Sequence, residues 1–277
     1  AAEDFALKFG AVYIWGEDDT PWSILFDERL EQDVDTISEA ELLAGDYEQA
    51  WQVRRSRFDQ IIFDASVASG VEAESPCGVA QVIFDQDRAV GVRLDDGREI
   101  EASFVVDASG QRCLLGRKLG LVEPAEDLKS IAIYSYFRGA GGLAEPLNRH
   151  AQLVATVPEG WLWFIPISSD ITSIGLVTRE RQKYTEESFL ELLRRSPVPI
   201  DAGDYCEVDG VRGLQTVRDW SYTCRRTHGP GHVLVGDAAC FVDPILAGGV
   251  DFAIRGSANA AVAILDRWAA LSMHCLP

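Results

Sequence analysis

The stretch HVLVGDAACFVDPILAGGVDFAI, residues 232–254, constrains this chain more than any other. A short apolar strand delivers Gly236 and Asp237 at its carboxyl end, where open α/β sheets collect their ligands. Pro244 and the pair Gly248-Gly249 follow, opening a long helix predicted over Val250 to Leu271. Glycines there let backbone approach a ligand closely, and free N–H groups at a helix start favour negative charge. Asp237 supplies an acceptor for a chain of hydroxyls. Residues 226–277 therefore read as part of an α/β ligand-binding layer.

The rest of the chain is mixed. FALKFGAVYIWG reads as one N-terminal strand and WSILF as a second, followed by an acidic, irregular segment from Asp33 to Glu48. Phe58, Ile61, Ile62 and Ala65 recur at helical spacing between Arg54 and Ser69. VAQVIF, AVGVRL and EIEASFVVDASG predict a small antiparallel meander, with DDG at 95–97 as a tight turn. Strand-like segments at 129–138, 151–157, 161–167 and 171–178 predict a larger sheet, and a helix is expected from Thr185 to Arg195, stopped by SPVP. The expected division is 1–50 and 123–225 in a sheet domain, interleaved with 51–122 and 226–277 in the α/β domain.

Two strands carry unusual residues. In GWLWFIP, period two sends Trp161, Trp163 and Ile165 to one face and Leu162 and Phe164 to the other, ahead of Pro166. Both faces are apolar, as in a strand buried on two sides; an ordinary core strand has the same pattern. Lys8 interrupts an otherwise apolar strand, which is costly unless its amine reaches a cavity or partner. An edge-strand gatekeeper or a snorkelling side chain is the alternative.

Charge and cysteines remove several functions. With 25 Lys+Arg against 44 Asp+Glu the net charge is −19, so the surface repels nucleic acid and anionic membranes. Cys77, Cys113, Cys206, Cys224, Cys240 and Cys275 form no CxxC pair and no ligand-like spacing with histidine. They read as reduced thiols of a cytoplasmic protein without a metal site.

GDAACFVDPILAGGV resembles the second FAD-binding motif of glutathione-reductase-like flavoproteins with the hydroxybenzoate-hydroxylase fold, and VVDASGQRCLLGRKLG is similar to their other internal fingerprint. WQVRRSRFDQII is similar to their R-x-x-F-D helix start. WLWFIP satisfies W-x-W-x-I-P, the signature of flavin-dependent halogenases, and FALKFGAVYIWG is similar to the segment bearing their essential lysine. The resemblance implies an FAD/NAD(P)-binding domain interleaved with an antiparallel substrate-side sheet. It implies FAD, used as FADH2 from a separate flavin reductase, held near Gln52, Arg55, Ser109, Gly110, Gly236, Asp237, Pro244, Gly248 and Gly249. For Arg55, a solvated charge at a helix start is the competing reading.

The same resemblance implies a halide, chloride or bromide, on the backbone of Gly248 and Gly249. Hypohalous acid formed there would pass a flavin–substrate barrier of Trp161, Trp163, Ile165 and Pro166 to reach Lys8, the catalytic amine. The substrate implied is an electron-rich aromatic, small or bound to a carrier protein. Leu246-Ala247-Gly248-Gly249 stands where tryptophan-specific halogenases have Glu-Ser-Thr-Gly, which argues against free tryptophan. No G-x-G-x-x-G follows the first strand, so a fragment lacking its first βαβ unit, holding FAD weakly, is expected. A flavin monooxygenase, a geranylgeranyl-reductase-like enzyme and a cofactor-free remnant are the alternatives.

Overall fold

Phe9 breaks the N-terminal run, expected as one strand, into Ala6–Lys8 and Gly10–Ile14. Its ring is buried in a small cluster with Leu30 and Leu42, and the two halves join different sheets. The structure, a computed structural model, describes residues 5–16, 20–30, 37–141, 150–197, 200–218 and 220–273. They fall into two compact units, one of 1–72 with 130–218 and the other of 73–129 with 219–277. The expected boundaries near 50, 122 and 225 thus move. Residues 51–72 go with the sheet unit because Ala50–Gln52 ladders antiparallel onto Ala6–Lys8.

The sheet unit is built on eight strands. The central run is Ile131–Arg138, Ile171–Thr178, Gly160–Pro166 and Ala151–Val157, all antiparallel, as their alternating apolar sequences predict. Gly10–Ile14 then adds parallel to Ala151–Val157, and Trp22–Leu25 pairs with it on the outside. One face carries Val12, Leu153, Leu162, Phe164, Ile174, Ile133 and Phe137, packed with Phe189, Leu192 and Leu193 of the helix Glu186–Arg194. Thr185 and Ser188 cap that helix reciprocally, which fixes where it starts. Alternation puts Gln152, Val154, Thr156, Trp161, Trp163, Ile165, Ser173, Gly175, Tyr134 and Tyr136 on the opposite face. There Thr156, Trp163, Ile165, Ser173, Tyr134 and Tyr136 are only half-buried. Burial of the tryptophan strand is therefore unequal: its Leu162 side is dry core and its Trp163 side is partly open.

Two other expectations in this unit change. The segment read as irregular contains a helix, Glu39–Ala44, started by a Ser38–Glu41 capping box; Asp33–Thr36 lie outside the described residues. The helix Arg55–Ala68 forms where its spacing predicts, yet none of its side chains is fully buried.

In the second unit Val79–Asp85, Arg88–Leu94 and Glu99–Glu101 make the predicted meander. The run EIEASFVVDASG does not stay in it. Ala102 N–H still donates to the Val90 carbonyl, but Val105 N–H donates to Gly231, and Val105–Asp107 pairs parallel with His232–Leu234. Parallel pairing brings the carboxyl ends of both strands, and the glycine-bearing turns after them, to one edge. The helix Gly249–Met273 follows the second turn.

Gly175 is the residue that makes room on the open face of the large sheet. It lies opposite Trp163, and a Cβ there would come within 2.3 Å of the indole Cζ2. Gly175→Ala is therefore expected to displace the ring at a cost of about 1–3 kcal/mol. A lowered urea midpoint together with a changed tryptophan emission spectrum in the native state checks this; an unchanged spectrum and midpoint contradicts it.

Candidate functional site

Lys8 ends its short strand opposite Ala50. Residue 150 clamps the main chain on either side: His150 Nδ1 lies 3.2 Å from the Leu7 carbonyl oxygen, and Phe9 N–H donates to the His150 carbonyl at 2.8 Å. The Lys8 amine donates to Oε1 of Gln152 at 3.0 Å and lies 5.7 Å from the Phe26 ring centroid. Burial pushes its pKa below the ordinary lysine value, because the charged form loses water. The amine ends on a buried amide rather than in water, which is not the arrangement of a snorkelling lysine, although Ala6–Lys8 is an edge strand of its two-stranded sheet.

Gln152 carries the lysine to the tryptophan face. It shares that face with Val154, whose partner across the ladder is Trp163. Trp163 donates through Nε1 to Ser173 Oγ at 3.1 Å, and its ring lies 6.1 Å from Trp161 and 6.0 Å from Tyr134. Hydrogen-bonded on one side and seated over Gly175, this indole is fixed rather than swinging. Trp161, Trp163 and Ile165 thus share a face with Gln152, the partner of the Lys8 amine. Pro166 ends the strand opposite Thr172 and alternates onto the other side.

In the second unit one phenol ties the two glycine turns together. Tyr222 Oη donates to the Asp237 carbonyl at 2.5 Å and lies 3.4 Å from that of Gly110. Gly110 and Gly236 adopt φ of +62° and +55°, the left-handed region that a side chain resists. Asp107, buried, accepts from Ser109 N–H at 2.9 Å and from Leu115 N–H at 2.7 Å, holding the first turn shut. Ser109 Oγ accepts from Leu114 N–H at 3.0 Å. After the second turn, Pro244 starts a single helical turn capped by Asp243, and Gly248-Gly249 lead into the 25-residue helix. Asp237 Oδ1 lies 4.0 Å from where a Cβ of Gly249 would sit, so carboxylate and helix start face one space. Two left-handed glycine turns, a carboxylate and a glycine-led helix start fit a flavin's hydroxyl chain and electron-rich ring edge.

The remaining predicted residues lie in the sheet unit. Gln52 is buried, and neither polar atom of its amide finds a partner. A buried amide left this way costs about 1–3 kcal/mol, which a polar ligand would recover. Arg55 pairs with Asp59 at 3.0 Å on the exposed surface of its helix, which is the solvated-charge arrangement. The sequence reading missed Gln152, Tyr222 and Asp107. Gln152 had a signal: it is polar at an apolar position of AQLVATV, the same irregularity that marks Lys8.

The described cysteines are free thiols. Cys113 and Cys224 lie 3.6 Å apart at sulfur, beneath the second turn, where Cys113 reaches the Ala238 carbonyl at 3.1 Å. Burial pushes the Cys224 thiol up to about 12, so it stays protonated. Among the described residues no helix is long and apolar enough to cross a membrane.

Residues 4–269 match the family model described as tryptophan halogenase. A 1H-pyrrole-2-carbonyl-[peptidyl-carrier protein] chlorinase of Pseudomonas fluorescens is 32% identical over 95% of this chain and 62% of its own length. The corresponding brominase of Pseudoalteromonas luteoviolacea is 29% identical over 83% of this chain and 59% of its own. The structure of the myxobacterial chondrochloren halogenase CndH superposes with a TM-score of 0.75 and 30% identity, covering 90% of this chain and 56% of that one. The chain thus spans about three fifths of the length of these relatives.

The environment of Lys8 makes a measurable difference. The folded chain releases the Lys8 proton at lower pH than the unfolded chain, so between the two pKa values the unfolded state binds more protons and stability rises with pH. Labelling with an amine-selective reagent, followed residue by residue by mass spectrometry, should give Lys8 a half-labelling pH below the ordinary lysine value of 10.5. A half-labelling pH at or above that value contradicts the burial.

Proposed function

The chain belongs to the tryptophan halogenase family, and from that membership we propose that it serves in FADH2-dependent halogenation of an electron-rich aromatic substrate. The observation that carries the reading is the Lys8 amine, desolvated and held on Gln152, on the sheet face that also bears Trp161 and Trp163. Bound reduced FAD would supply the electrons for making, from O2 and halide, a hypohalous acid. The Gly110 and Gly236 turns, with Ser109 and Asp237, would hold the flavin's hydroxyl chain. Backbone N–H groups of Gly248 and Gly249 would hold chloride or bromide.

Lys8 then orients or captures the halogenating species next to a substrate ring. The indoles of Trp161 and Trp163 would wall this face and restrict what reaches the amine. The substrate class we favour is an aryl or pyrrolyl group, free or delivered as an acyl thioester on a carrier protein. Support comes from the pyrrole-carrier chlorinase and brominase among its relatives and from Leu246-Ala247 in place of Glu-Ser. A separate flavin reductase would supply FADH2. The free thiols accord with a cytoplasmic setting.

Lys8 tests this reading in the FAD-loaded protein. Lys8→Ala and Lys8→Met should leave flavin reoxidation and peroxide release near normal while halogenated product collapses. Lys8→Arg should fail as well, because guanidinium is bulkier and stays protonated. Retention of more than about a tenth of product formation by Lys8→Arg corresponds to under roughly 1.4 kcal/mol of lost transition-state stabilisation, too little for an essential amine. That result would return Lys8 to a structural role.

A further inference from the structure

We propose that Gln152 is the positioning residue for Lys8: its uncharged amide oxygen aims the amine along the tryptophan face without fixing it as one half of an ion pair. The proposal rests on the reading of Lys8 as the working amine. Three observations carry it. Gln152 is buried at 5% exposure in an otherwise apolar strand, so its amide needs a partner, and that partner is Lys8 at 3.0 Å. Its neighbour across the parallel ladder is Ala11, whose small side chain leaves space beside it. The backbone around Lys8 is already fastened to His150, two residues before Gln152, so one short segment of one strand sets both the main chain and the amine.

The chemistry of the acceptor matters as much as its place. An ammonium has three donors and no acceptor, so a single amide oxygen leaves two N–H directions free to face a ligand. A carboxylate in that position would hold the proton on the lysine, whereas an amide leaves the protonation state to burial. The side chains that flank the Lys8 segment in sequence and space have partners of their own. Asp27 takes both Arg29 and the Glu48 N–H, and His150 is held on the Leu7 carbonyl. Among the described residues no carboxylate pairs with the Lys8 amine, and burial alone moves its pKa.

Gln152→Glu, nearly isosteric, and Gln152→Leu, apolar, separate positioning from packing in the FAD-loaded protein. With Gln152→Glu the half-labelling pH of Lys8 should rise by about one unit or more, and the pH at which halogenation is half-maximal should rise with it. With Gln152→Leu the labelling pH should not rise, while product formed per flavin reoxidised falls about tenfold or more and peroxide release rises. Folding is checked by circular dichroism and melting; if the leucine variant does not fold, Gln152→Glu decides alone. Folded variants with the wild-type pH profile and product-to-peroxide ratio overturn the proposal, leaving Gln152 as a packing residue. If Lys8→Ala itself retains product, the reading of Lys8 fails and this proposal falls with it. If Lys8→Ala collapses while the Gln152 variants behave as wild type, only the positioning role is lost.

Discussion

One parallel ladder, Gly10–Ile14 against Ala151–Ala155, decides which residues of the sheet unit Lys8 meets. The remaining ladders of the large sheet are antiparallel and are built mainly from neighbouring segments. This one brings together residues some 140 positions apart, as the Lys8–Gln152 bond records. It delivers Lys8 to the tryptophan strand by way of its neighbour, and its register determines that Gln152, rather than Leu153, faces the amine. A shift of one residue in this ladder would set Lys8 against a different stretch of the strand and take it off Gln152.

Much of this arrangement is legible in the sequence, for local reasons. Runs rich in β-branched and aromatic residues, IAIYSYF, ITSIGLVT and GWLWFIP, mark the central strands, and Thr185 marks the helix that covers them. The glycine turns around Gly110 and Gly236 carry their own backbone signature. What escaped the reading is mostly non-local. Nothing in FALKFGAVYIWG states that Phe9 will be buried elsewhere and split the strand. Nothing in EIEASFVVDASG states that the chain changes sheets between Ala102 and Val105. Gln152 and Tyr222 matter through partners more than 10 residues distant, Lys8 and Asp237, which no window of sequence displays. The Ser38–Glu41 capping box was a local signal, hidden by the acidic composition around it.

The electrostatics of the two units contrast. A chain of net charge −19 presents a tryptophan face whose central side chains are uncharged apart from the incoming lysine. Arg138, which alternates onto that face at a strand end, is taken by Asp170. With so few charges nearby, the field at the Lys8 amine is set by burial and one amide dipole. The flavin-type turns use the opposite strategy, a carboxylate and a helix start brought face to face. Each solution suits its expected guest: a reactive neutral species in one case, a hydroxylated anionic cofactor in the other.

The chain leaves the second unit after residue 129 and re-enters it at 219. Val122–Pro124 pairs antiparallel with Tyr222–Cys224, and Ala125 N–H donates to the Ser221 carbonyl at 3.0 Å just beyond the ladder. Departure and return are thereby fastened side by side, in register with the tyrosine that spans the two glycine turns. A polypeptide excursion closed at its base tolerates changes of length, since the entropy of closing it grows only logarithmically with length. A change of length confined to the loops of 130–218 therefore leaves the paired strands at its base, and the two glycine turns that Tyr222 joins, in place.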